Sequence, residues 1–389
     1  MRRNALPRLV LLACLVAGLV SCGARPKETG VVRVFVLTSS QAPLRDQGTM
    51  FRLGVQLAAD DINAAGGVGG KRLELAFDES GCDSAEAAKA AERAAEDDTV
   101  ALVLGPLCSQ AAHAVEPVLC AADLPAILPV ASAEYLAHPS PVLFRMVPSD
   151  GEQARLLGLV AAREMGIRRV AVLFENSAYG QVVRSAFGQE AARQGISVLF
   201  ERPYTRKAAE TEASLAALAR LRPEAVLLAG DPEMGAVVAR TAARLKLRLR
   251  FLATSLMAER TLLDLGGNAV EGFTLVEPFV FEPASEAAQQ FLRRFQSRFG
   301  QRPTWIAASA YDALRLAAGA IPQAQGRKGL WRQLASYNCP ERAYQGVTGP
   351  TCFDPLGGTL RPVRVVRVEN GSFVPVSGVA ASARPGPLE

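Results

Sequence analysis

The sequence predicts an α/β protein of two lobes, each built on a parallel sheet with helices on both faces. Three observations carry that prediction. Strand-length apolar runs alternate with helix-length stretches, the alternation runs its course and then starts again, and the 389-residue chain is long enough for two domains of ordinary size. The composition fits: 49% hydrophobic and 21% charged residues describe a globular protein with a sizeable core.

Residues 31–38 form the first apolar run, and residues 50–63 follow as a helix with Met50, Leu53, Leu57 and Ile62 on one stripe. Gly66 and Gly67 end that helix, where the chain needs residues tolerant of positive φ. Residues 73–78 then read as strand, 84–96 as an Ala-rich helix, 100–104 as strand, 110–122 as helix and 126–129 as strand. Strands joined through helices run parallel, with right-handed crossovers. The second round begins with a helix over 150–164 and continues as strand 169–175, helix 180–194, strand 197–204, helix 210–221, strand 225–229, helix 232–245 and strand 250–253. Helices over 285–299 and 304–319 come next. The final pair, 361–369 and 371–376, is joined by Asn370-Gly371, the residues that a two-residue type I′ hairpin turn requires. Residues 380–389 are small and Pro-rich and are expected to stay disordered.

The N-terminus has a different character. Arg2, Arg3 and Arg8 precede an apolar run over 9–20, too short to span a membrane comfortably but built as a secretory leader. It closes on Leu19-Val-Ser-Cys22, and a small residue directly before a cysteine resembles the processing site of bacterial lipoproteins. Residues 1–22 are therefore expected to leave Cys22 as a lipidated first residue, residues 23–30 to act as a tether, and the chain to work in the bacterial cell envelope. An ordinary secretory leader is the other reading. No later stretch is long and apolar enough to cross a membrane.

Export makes the cysteines informative. Of seven, Cys14 lies in the leader and Cys22 carries the lipid. Two local bridges, Cys82 with Cys108 and Cys339 with Cys352, are the simplest pairing of the rest, and Cys120, left over in a helical pattern, is expected to act as a small buried hydrophobe. With only His113 and His138 and no Cys-x-x-Cys, a zinc site finds no support. The formal charge of +5 is spread over scattered arginines, which describes a solvated surface and not a nucleic-acid footprint.

Catalytic patterns are missing. There is no Gly-x-Ser-x-Gly elbow and no His-Glu-x-x-His helix. The cluster from Gly66 to Arg72 fails as a phosphate loop: Ala65 stands where its first glycine belongs, Arg72 where a Ser or Thr must meet magnesium, and it follows a helix instead of preceding one. The chain is read as a non-enzyme without cofactor or metal. Ligands of open α/β sheets sit beyond the carboxyl ends of the strands, and those ends carry Cys108-Ser109-Gln110 and Pro129-Val130-Ala131-Ser132. Ser109 opens a helix, so its hydroxyl and the first N–H groups suit a carboxylate; helix caps with no ligand are the alternative for both serines.

The stretch Gly54-Val-Gln-Leu-Ala-Ala-Asp-Asp-Ile-Asn-Ala-Ala-Gly-Gly-Val-Gly-Gly-Lys71, then Phe77-Asp-Glu-Ser-Gly-Cys82 and Gly105-Pro-Leu-Cys108-Ser109, resembles the substrate-binding proteins of branched-chain amino acid ABC transporters. Further matches follow in order: Phe144-Arg145 ahead of Asp150, Val170 to Phe174 leading to Tyr179-Gly180, Pro232-Glu-Met-Gly235, Gly346 to Pro350, and Phe353-Asp354-Pro355. The resemblance implies the type I periplasmic binding protein fold, two doubly wound lobes joined by a three-crossover hinge. It places lobe 1 at 31–148 plus about 277–350 and lobe 2 at 149–276 plus about 355–377, with 378–389 as a tail, and it matches the family's disulfide to Cys82 and Cys108.

Carried over residue by residue, the resemblance gives Ser109 the ligand carboxylate. Ser132 would contact carboxylate and ammonium, Val130 beside Ala131 would offer a carbonyl to the ammonium, and Tyr179 would line the cleft, with Asp150 at the crossover. Two positions depart. Ser255 stands where amino-acid binders place a glutamate against the ammonium, and Gln47 where they place an aromatic ring. Asp231 is the candidate to replace that glutamate, because a buried ammonium needs an anionic partner. The expected function is a lipid-anchored receptor that captures a small polar solute, an amino acid or related amide or carboxylate, and delivers it to an ABC permease. The alternative is a ligand-sensing or partner-regulating lipoprotein on the same fold, an amide or urea receptor or a cell-wall synthase activator.

Overall fold

In strand β1 (Val31–Leu37), Val32, Val34 and Val36 join one apolar cluster while Leu37 joins another, so both faces are buried. That is why the sequence shows a continuous apolar run there and no alternation. The computed structural model describes residues 30–41, 44–136, 142–205, 207–281, 285–338, 340–359 and 361–381. The leader with Cys22, most of the tether, Cys339 and the last eight residues lie outside them, so the anchor and the pairing of Cys339 with Cys352 do too.

After β1 come α1 (Arg45–Ala64), β2 (Arg72–Asp78), α2 (Ser84–Glu96), β3 (Val100–Leu104), α3 (Ser109–Ala121), β4 (Ala126–Leu128) and β5 (Leu143–Arg145). These strands form one parallel sheet in the order β2-β1-β3-β4-β5. The next stretch is α4 (Asp150–Arg163), β6 (Arg169–Phe174), α5 (Ala178–Arg193), β7 (Ser197–Pro203), α6 (Ala208–Arg220), β8 (Ala225–Ala229), α7 (Pro232–Arg244), β9 (Arg250–Ala253), α8 (Arg260–Gly266) and β10 (Thr274–Glu277). Its strands lie in the order β7-β6-β8-β9-β10, all parallel, which repeats the topology of the first sheet. Helices α9 (Glu286–Phe299), α10 (Trp305–Ala320) and α11 (Gly326–Ala335), with the ribbon β11 (Tyr344–Gly346) and β12 (Gly349–Thr351), send Phe295, Ile306, Leu334 and other side chains into the core of the first sheet. Strands β13 (Val363–Glu369) and β14 (Ser372–Ala381) then extend the second sheet antiparallel from β10.

The chain therefore passes between the two sheets three times, after β5, after β10 and after β12. Each sheet carries apolar clusters on both faces: Val170, Val172 and Phe174 of β6 face one, Ala171 and Leu173 the other. This is the two-lobed, doubly wound α/β architecture expected. Strand β14 runs to Ala381, beyond residue 377 where the sequence ended the lobe, because Val363 and Arg364 of β13 pair with Ala381 and Ala380. The hairpin turn has Asn370 at φ 52° and Gly371 at φ 68°, the positive values of a type I′ turn, and the Glu271 carboxylate accepts from both N–H groups.

At the third crossing, Asp312 of α10 is fully buried and accepts from the N–H groups of Val347 and Thr348, both at 2.8 Å. Arg361 donates to the Thr348 carbonyl from the other side, so one polar cluster pins the connection. The predicted bridge between Cys82 and Cys108 is present, with Cα atoms 4.9 Å apart, and joins the β2–α2 loop to the β3–α3 loop. Its 26-residue separation is worth about 3 kcal/mol in the chain-entropy model. Cys120 is half-buried and packs against the core between α3 and the first sheet.

Candidate functional site

Doubly wound sheets open a crevice where strand order reverses, at the carboxyl ends of neighbouring strands whose helices leave on opposite faces. Here that point falls between β1 and β3 in one lobe and between β6 and β8 in the other. The residues singled out from sequence collect at those ends. Gln47 lies in the first turn of α1 after β1, Ser109 follows β3, Val130 to Ser132 follow β4, Tyr179 follows β6, Asp231 follows β8 and Ser255 follows β9.

Ser109 is placed by a tight approach. Gly105, at φ +93°, follows β3, and a Cβ there would come within 2.4 Å of the Leu37 carbonyl oxygen, so only glycine lets the chain turn against β1. The neighbouring disulfide and the Cys108 N–H, which donates to the Gly81 carbonyl at 3.0 Å, hold the start of α3. Cys108 occupies the N-cap position and supplies no side-chain cap. Ser109 is thus not a cap: its Oγ accepts from the N–H groups of Ser132 and Ala133, both at 3.2 Å. The first N–H groups of α3 have no intrahelical partner, and the helix dipole favours an anion there.

Ser132 is not a cap either. Its Oγ donates to Asp150 Oδ1 at 2.8 Å, while the Asp150 N–H donates to the Ser132 carbonyl at 3.1 Å, so the pair closes the first crossing in both directions. Arg145 Nη1 donates to the carbonyls of Ser132 and Ala133, each at 3.1 Å. The guanidinium is buried, and burial holds its pKa below the ordinary value against the opposing pull of Glu152, Asp150, Asp354 and Glu134. Burial lifts the Asp150 carboxyl to about 6, although the Ser132 hydroxyl and Arg145 pull the other way.

In the second lobe the Tyr179 hydroxyl pairs with Thr254 Oγ1. Its pKa is raised, first by burial and then by the charge of Asp150. The Ser255 N–H donates to Oε1 of Gln153, a fully buried side chain on α4 whose amide donates to the Pro148 carbonyl. Asp231 is half-buried and caps α7, its Oδ1 accepting from the Met234 N–H at 2.7 Å. Hydrogen bonds thus link Ser109, Ser132 and Asp150, and separately Tyr179 with Thr254 and Gln153 with Ser255.

Sequence reasoning gave no role to Arg145, Gln153 or two buried acids. Glu259, ahead of α8, has its carboxyl pushed up to about 8 by burial and by repulsion from Asp46. Glu277, the last residue of β10, is pushed up to about 8 by burial and by Glu259. Nothing local distinguishes Glu259 from an exposed helix-start acid; only the packing buries it. Among the described residues no group of acids, cysteines and histidines could hold a metal ion, and no helix is long and apolar enough to cross a membrane.

The family model of the periplasmic binding proteins matches residues 31–372. Over 287 residues the chain is 26% identical to the leucine-, isoleucine-, valine-, threonine- and alanine-binding protein of Pseudomonas aeruginosa, covering 72% of this chain and 75% of that one. Its fold matches that of the branched-chain amino acid transporter substrate-binding protein LivJ from Streptococcus pneumoniae in complex with isoleucine, with a TM-score of 0.81 at 22% identity over 89% of this chain and 99% of that one. It also matches an ABC transporter solute-binding protein from Rhodopseudomonas palustris in complex with 3,4-dihydroxybenzoic acid, with a TM-score of 0.79 at 19% identity over 92% and 99%. With five parallel strands in the same order in each sheet, three crossings between the sheets and a match to the family model over residues 31–372, the chain belongs to the periplasmic binding protein family.

Proposed function

We propose that the chain is an exported solute-binding protein that captures a small carboxylate-bearing solute, an amino acid or a related compound, between its lobes and presents it to an ABC permease. The carrying observation is Ser109: two backbone N–H groups occupy its oxygen, which leaves its proton and the open N-terminal turn of α3 to face a carboxylate. The solutes named for the structural relatives, isoleucine and 3,4-dihydroxybenzoic acid, share that group. Tyr179, Thr254 and Ser255 belong to the other lobe, so a solute touching both sides is satisfied only when the lobes approach, and binding shifts the population toward closure. No catalysis is needed for that cycle. Cys22 is read as its lipid anchor to the membrane and the small polar solute as its cargo.

Ser109→Ala should weaken binding of a carboxylate solute by about 1–3 kcal/mol while lowering folding stability by only about 1 kcal/mol, the cost of two N–H groups losing one acceptor. Calorimetric titration beside urea melts of the same variant separates the two. Unchanged affinity would remove Ser109 from the site.

A further inference from the structure

A cavity of about 260 Å³ opens in the first lobe between α1, α9, α10 and the ribbon strand β11. It is well removed from the crevice. Gln47 lies in the first turn of α1, whereas Asp61, which lines the cavity, lies about four turns further along that helix, roughly 21 Å at 1.5 Å per residue. Leu57, Phe291, Tyr311 and Tyr344 give the cavity an apolar and largely aromatic wall, with the Phe291 and Tyr311 ring centroids 5.0 Å apart.

The charges in that wall indicate what it would take. Both acids of the lining are satisfied from within the protein. Asp61 pairs with Arg294 through Oδ1 and accepts from the Tyr311 hydroxyl at 2.7 Å through Oδ2. Asp312 accepts from the N–H groups of Val347 and Thr348. Burial raises the pKa of both phenols, so neither adds a negative charge. Arg315 is the remaining charged group of the lining. It is exposed, its guanidinium lies over the Tyr311 ring at 5.9 Å from the centroid, and among the described residues no carboxylate pairs with it. A cation held on a ring beside a cavity without a counter-charge suits an anion, and a guanidinium takes a carboxylate through two parallel hydrogen bonds. Size sets the rest: an apolar cavity of about 150 Å³ holds benzene, so this one has room for a single ring with a small substituent.

We propose that this cavity is a second solute site, outside the crevice, for a small carboxylate built on one ring: the ring packs against Phe291, Tyr311 and Tyr344, and the carboxylate pairs with Arg315. The site is independent of the solute taken between the lobes.

The test is a fluorine NMR titration of the intact chain with 4-fluorobenzoate, with the neutral 4-fluorobenzamide as charge control. A carboxylate also suits the crevice, so the titrations are run on Ser109→Ala and on the same variant carrying Arg315→Ala or Arg315→Lys, with melts showing that each is folded. 4-Fluorobenzoate should bind Ser109→Ala saturably, and Arg315→Ala should weaken that binding by roughly tenfold or more. Arg315→Lys, which keeps the charge without the fork, should fall between, and 4-fluorobenzamide should bind Ser109→Ala at least tenfold more weakly than the acid. The proposal is overturned if folded Ser109→Ala takes no 4-fluorobenzoate, if Arg315→Ala leaves the affinity unchanged, or if the amide binds as tightly as the acid. Each of those results leaves the crevice reading standing, because that reading is tested with amino acids.

Discussion

Replacing Arg145 with alanine should cost about 3–5 kcal/mol of folding stability and weaken solute binding at the same time. The side chain is 3% exposed and holds two carbonyls of the segment that carries Ser132. Glu152 lies 3.9 Å away, and Asp150, Asp354 and Glu134 are also within its field. Without the guanidinium Glu152 loses its ion pair, Asp150 and Asp354 lose a nearby positive charge, Glu134 keeps its pair with Arg155, and the two carbonyls lose a donor. The segment from Pro129 to Ala133 also supplies the N–H groups that orient Ser109, so the damage spreads to the anion site. Arg145→Lys should recover part of the stability and little of the affinity, because one ammonium cannot reproduce the paired geometry. Urea melts read the first effect and titration the second. A loss below about 1 kcal/mol in Arg145→Ala would mean that the crossing is held by other contacts.

Raising the pH from 5 to 8 should destabilise the solute-free protein. The carboxyls of Glu259 and Glu277 are pushed up to about 8 in the fold, against an ordinary value of 4.5. Between those values the folded state holds protons that the unfolded chain has released, so this contribution is complete below pH 4.5 and is lost as the pH climbs toward 8. Asp150 adds a smaller loss between 3.8 and about 6. The two glutamates titrate as a pair, and their joint effect is on the order of a few kcal/mol. Asp78 and Asp97, whose pKa values are lowered, act below this window and do not mask it. Urea melts at pH 5, 6, 7 and 8 give the slope, which Glu259→Gln should flatten. Stability that stays level or rises over that range contradicts the reading of these acids as buried and unpaired with a cation.

The parts of the fold legible in the sequence were those with a local signal. The Ala-rich helix α2 and the runs of β3, β8 and β9 fall where the periodicity put them, since each is bounded by charge, glycine or proline. Strands β5 and β10, three and four residues long, show no period and are defined by the neighbours they pair with. Helix α11 went unassigned for a related reason: its Arg327 closes the carbonyls of Ala94, Ala95 and Asp97 at the end of α2, a contact more than 200 positions away in the chain. The site divides in the same way. The switch-point rule brings Ser109 and Ser132 to strand ends from sequence alone, and the family resemblance adds Tyr179, but the oxygen of Ser109 could not be aimed without knowing that Ser132 and Ala133 fold back on it. Asp231 was read from sequence as the partner of an ammonium, although the helix start at residue 232 already put it at the N-cap position from which it accepts the Met234 N–H.

Calorimetric titration of the purified chain with each of the common L-amino acids, with small-angle scattering on any that bind, tests most directly whether the crevice between the two sheets takes such a solute. The expected result is saturable one-to-one binding of at least one amino acid, with a negative heat-capacity change and a smaller radius of gyration as the lobes close. A folded chain that binds none of them, or one whose Ser109→Ala variant keeps the wild-type affinity, would contradict it.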